Sequence, residues 1–186
     1  MRVAATVLLA TLVAGCATSA PAPVTVASPL SAAVVPAALP EARLTLQLDS
    51  TKDVQQAVAS VGKQILTSDV KFWQIHDGER LVGALQLSTL KSRVEPSRSA
   101  DRDNILSQIL VGPSEQISMS GLPVWTTPTS DSSPRALYVW FGQHEFGVLQ
   151  LQSRDVDTTR VAQSLITHVV TQSAWEALPP QAYGES

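Results

Sequence analysis

Cysteine occurs once in 186 residues, at position 16, so the chain cannot close an internal disulfide or assemble a thiolate zinc site. Apolar runs are short: Val3 to Val13 has signal-peptide length, and Leu30 to Leu39 is interrupted by Pro36, so neither spans a bilayer. Basic excess is missing too. The net charge of −3 gives no footprint for nucleic acid, and that partner class is excluded. Gly-x-Ser-x-Gly elbows, phosphate-cradling glycine loops and HExxH pairs are absent, so the sequence names no catalytic residue, metal or cofactor.

What is present begins at Cys16, which closes the run Leu12-Val13-Ala14-Gly15-Cys16. Arg2 supplies a short positive n-region ahead of the apolar stretch, and the positions before Cys16 are small. This arrangement resembles the lipobox of bacterial lipoproteins. The resemblance covers residues 1–16 and implies cleavage before Cys16 and acylation of its thiol. The mature chain would then be held in the membrane by acyl chains. It would sit on the outer face of the cytoplasmic membrane, or in the outer membrane of a diderm.

Residues 16–40 read as the acylated cysteine and a tether. Past Cys16 this stretch is Ala, Pro, Ser, Thr, Val and Leu, without a single charge and with prolines at 21, 23, 29, 36 and 40. Such chain is extended rather than packed, and at about 3.1 Å per residue it reaches roughly 70 Å. Residues 41–178 are one domain's worth of sequence, and 179–186 read as a flexible tail.

Within the domain, Arg43 to Leu48 alternates as a half-buried strand does, and Ser50 and Asp53 open a helix with apolar residues at Val54, Ala57, Val58, Val61 and Ile65. Strands at Lys71–Ile75 and Leu81–Leu87 flank an Asp77-Gly78 turn. A helix from Asp101 to Val111 stops at Gly112-Pro113, and short strands follow at Glu115–Met119 and Pro123–Thr127. Leu137–Phe141 and Phe146–Gln152 form another hairpin, and a last helix runs from Asp157 to Ala174. The expected fold class is α+β, an antiparallel sheet built from hairpins with about three helices packed on one face. Gly83-Ala84-Leu85-Gln86-Leu87 repeats as Gly147-Val148-Leu149-Gln150-Leu151, which either a duplicated hairpin-plus-helix unit or the common alternation of Leu and Gln in edge strands accounts for. This order of elements is similar to α+β lipoproteins of actinobacterial envelopes, including PsbP/Mog1-like and lipid-carrying types. Trp140 to Leu151 with the following helix also resembles exported portions of anti-sigma regulators. Neither resemblance brings a diagnostic motif, so no functional residues carry over.

Three groups of side chains are candidates for function. His76 and His144 occupy comparable turns, each beside carboxylates (Asp77 and Glu79, or Glu145); convergence at one sheet edge would make a metal or proton site, and otherwise they are solvated turn residues. His168 falls on the flank of the last helix. Lys91, Arg93, Arg98 and Arg102 gather positive charge that would suit anionic headgroups or an acidic partner, partly cancelled by Glu95, Asp101 and Asp103. The aromatic residues Trp73, Trp125, Tyr138, Trp140 and Phe146 are the candidate ligand- or partner-binding set, because adjacent rings on one strand load both faces of the sheet. The expectation is a lipid-anchored envelope module that binds an envelope protein or an amphiphile. An envelope hydrolase built on the histidines and an extracytoplasmic sensor are the alternatives.

Overall fold

Alternating side chains make strands here as the sequence predicts: in Leu44–Asp49, Leu44 and Leu46 are buried while Thr45 and Gln47 face solvent. The structure, a computed structural model, describes residues 35–39, 42–49, 67–110, 112–127, 135–152, 154, 156–172, 175–178 and 182. The lipobox, the tether up to residue 34 and the helix expected over 53–65 lie outside the described residues. The strands are β1 (Ala38–Leu39), β2 (Leu44–Asp49), β3 (Thr67–Asp77), β4 (Arg80–Leu90), β5 (Glu115–Met119), β6 (Leu122–Thr126), β7 (Arg135–Phe141) and β8 (Glu145–Gln152). Helix α1 (Ser99–Ile109) follows β4, and α2 (Thr158–Gln172) follows β8.

All eight strands join one antiparallel sheet in the order β1-β2-β3-β4-β8-β7-β6-β5. The chain therefore lays down two four-stranded meanders, and β4 and β8 form the seam between them. The repeated pentapeptides meet at that seam: Gly83 pairs with Leu151, Leu85 with Leu149 and Leu87 with Gly147. A register shift in β4 lets Leu81 pair with His76 and Gly83 with Ile75, leaving Val82 between them. Val82 is thereby turned inward and fully buried, and Leu81 is exposed. The β3–β4 turn uses Gly78 at φ 61°, where the Asp-Gly signal placed it.

The expectation of about three helices packed on one face of an antiparallel sheet is corrected. Sheet dominates the described residues, and the two helices among them lie on opposite faces. Strand β7 requires this, because it is apolar on both sides. Tyr138 and Trp140 point into a first core with Leu85, Leu149, Leu151 and the α2 residues Val161, Leu165, Ile166 and Val169. Val139 and Phe141 point the other way, into a second core with Phe146, Leu90 and Ile105 of α1. A central strand loaded on both faces leaves no stable arrangement in which only one is covered.

The sheet also curls around α2. Leu39 of β1 at one edge, and Met119 and Leu122 beside the turn at the other, belong to the same buried core as the helix. Val35 packs against this core as well, so the folded part reaches back into the stretch read as tether. Asp157 starts α2 by accepting the Arg160 N–H on its carboxylate at 3.1 Å. No helix among the described residues is long and apolar enough to cross a membrane.

Candidate functional site

The aromatic set is structural. Trp140 and Phe146 are fully buried and Tyr138 nearly so; Trp73 is half-buried against the first core and Trp125 against the second. Trp125 meets Phe141 edge-on, with centroids 5.4 Å apart. The rings on β7 supply the two cores rather than a surface, because α1 and α2 cover both sides of that strand.

The histidines do not converge. His76 is opposite Leu81 near the start of β4, whereas the His144 carbonyl accepts the Leu90 N–H at its far end. The length of β4, about 30 Å at roughly 3.3 Å per residue, separates them. His76 instead hydrogen-bonds Gln74, and Gln74 donates to Asp49 at 2.6 Å. No group of metal-ligating side chains assembles among the described residues.

The basic cluster is spread out as well. Arg98 pairs with Asp101 at 2.8 Å and with Glu95 at 3.6 Å. The Glu95 N–H, helped by Arg98, holds the Asp101 carboxyl below the usual carboxylate range. Arg102 is buried: its guanidinium donates to the carbonyls of Pro96 and Ala182 and lies 5.6 Å from the Trp125 ring centroid. Ala182, within the stretch read as a flexible tail, is thus held by α1. Arg102→Ala should lower stability by about 2–3 kcal/mol in urea unfolding, because it strands two carbonyls and removes the cation–π contact. Arg102→Lys should recover only part of the loss, since one ammonium cannot reproduce the planar fork.

What the fold does assemble is a groove along α2, between the two edges of the curled sheet. Its volume is about 560 Å³, within the range of ligand pockets. One wall is Pro36, Ala38 and Leu39, where the chain enters the sheet. The floor is the outward stripe of α2, from Gln163 and Ser164 through Thr167 and His168 to Thr171. Ser120 closes the far side. The β5–β6 turn holds Ser120 and Gly121 at φ 52° and 79°, and this aims the Ser120 hydroxyl at that of Thr167, 2.6 Å away. His168 Nε2 is buried and has no hydrogen-bond partner among the described residues. Among the described residues, the lining contains no Asp, Glu, Lys or Arg. Such a surface suits an uncharged group with one apolar face and one that hydrogen-bonds.

Sequence reasoning missed this groove. Its only trace was the polar spacing of Gln163, Ser164, Thr167, His168 and Thr171 on the last helix, which reads like any solvated outer face. Sequence reasoning named Glu145 only as a carboxylate beside His144 and did not foresee its burial, with the residue only 2 % exposed. Burial foremost pushes this carboxyl up to about 7, with the nearby Glu176 charge adding to the effect against the N–H groups of Glu176 and His144. No family model, curated protein or solved structure matches the chain.

Proposed function

We propose that this is a lipid-anchored module of the bacterial envelope that binds an amphiphilic ligand in the groove along α2. The observation that carries the reading is the groove beside Val35 and Pro36, the first described residues after Cys16. Val35 packs against the first core, and Pro36 forms part of the rim of a groove whose described lining is uncharged, with one apolar and one hydroxyl-rich wall. An amphiphile matches that division, with hydrocarbon against Pro36, Ala38 and Leu39 and a neutral polar part against Ser164, Thr167 and His168. The ring-lined hairpins supply the rigid frame.

The test is native mass spectrometry of the mature chain extracted from envelopes, compared with its denatured mass. The expected result is a stoichiometric retained mass, lost in Gln163→Trp and Thr171→Trp, which fill the groove from exposed positions of α2. A bare mass in the unaltered chain, or a retained mass that both variants keep, would overturn the assignment.

A further inference from the structure

Residues 175–178, with Ala182 beyond them, form a strap across the end of the β7–β8 hairpin and touch both cores. Trp175 is buried in the first core, its ring 6.0 Å from that of Trp140, and Leu178 is buried in the second. Ala177 bridges to Gly142, the Gln143 N–H donates to the Glu176 carbonyl at 2.9 Å, and Arg102 holds the Ala182 carbonyl at 2.9 Å.

The Glu145 carboxyl is shut between hairpin and strap. It accepts the Glu176 N–H at 3.3 Å and lies so close to Gly142 that a Cβ there would overlap it. No ion pair to it forms among the described residues. Among the described residues, the ionisable groups around it are Glu176 on the strap, which repels it, and His144 on the hairpin turn, which is exposed; Arg102 on α1 grips the strap at Ala182. Closure has a further cost, since the indole N–H groups of both Trp140 and Trp175 are buried without an acceptor among the described residues.

We propose that the strap is a latch opened by deprotonation of Glu145. With the carboxyl neutral, the strap closes over the hairpin. Once ionised, the group is a buried charge beside a second carboxylate, and release of the strap returns it to water and uncovers Trp140. The raised pKa of about 7 sets the working range. The closed state holds a proton that the open state gives up. Closure is therefore strongest below the ordinary value of 4.5, weakens as pH rises, and reaches its floor above about 7.

Amide exchange of Gln143, whose N–H is bonded to the strap, reads this opening in the full chain in detergent micelles. Its protection factor should fall about tenfold per pH unit between pH 5 and 7 and then level off. In Glu145→Gln the profile should be flat, and in His144→Gln it should match the unaltered chain. A flat profile in the unaltered protein would overturn the proposal, as would a slope that survives in Glu145→Gln or vanishes in His144→Gln. Trp175→Phe should reduce the fluorescence change that accompanies release, leaving the part that comes from Trp140; a change of undiminished size would place the movement elsewhere.

Discussion

Gly147→Ala should cost the fold about 3–5 kcal/mol, a large share of the 5–15 kcal/mol that holds a typical domain together. Trp140 lies directly across the β7–β8 ladder from Gly147, and its indole occupies the space a side chain there would take. A Cβ at position 147 would overlap the ring, and the ring has nowhere to go, because Trp140 is fully buried among α2, Leu149 and Trp175. The substitution therefore evicts a core tryptophan, and its cost is closer to that of deleting the ring than to that of adding a methyl group. Urea unfolding measures the loss, and near-ultraviolet circular dichroism should show the indole signal collapsing. Gly78→Ala makes the comparison. Gly78 also has an unusual backbone angle, φ 61°, but open space around it. Only the conformational penalty of about 1 kcal/mol applies there. Equal losses at the two sites would show that Gly147 is needed for its backbone rather than for the ring.

Cys16→Ser should move the protein from the membrane fraction to the soluble one and abolish its labelling by radioactive fatty acid. Acyl chains act through buried methylenes, each contributing about 0.8 kcal/mol, and a serine hydroxyl cannot take the thioether-linked lipid. The same variant should unfold in urea with an unchanged midpoint, since the described fold begins well after position 16, at Val35. Membrane retention with label still incorporated would remove the lipobox reading. A shifted midpoint would mean that the anchor region also stabilises the domain.

The strands were legible because alternation is a local property. The β3–β4, β5–β6 and β7–β8 turns and strands β2 to β8 fall where period-two patterning and the Asp77-Gly78 signal put them, whereas β1 and its turn into β2 lie partly in the stretch read as tether; α1 and α2 lie within two residues of their expected ends. Which face each helix covers was not legible. That depends on Leu137, Val139 and Phe141 facing one helix while Tyr138 and Trp140 face the other, and a run of five large residues gives no hint of what covers each side. The groove was hidden for a related reason. It exists only because curvature brings β1 and the Ser120 turn to the same helix, and no single segment encodes curvature. Glu145 looked like a solvated turn residue because the strap that buries it arrives from the other end of the chain.

The β4–β8 seam has a consequence for how the chain comes together during synthesis. Each meander forms from strands that follow one another, but the seam joins strands separated by α1, β5, β6 and β7, and so it closes late. Until β8 arrives, β4 is an open edge carrying Gly83-Ala84-Leu85-Gln86-Leu87, a ready template for any matching strand. Its true partner is nearly its own copy, paired antiparallel about Leu85 and Leu149. A second unfinished chain therefore offers the best decoy, its β4 presenting almost the contacts that β8 would make. Crowded half-folded copies are the condition under which this sequence is most exposed to mispairing, and rapid delivery of the second meander is its protection.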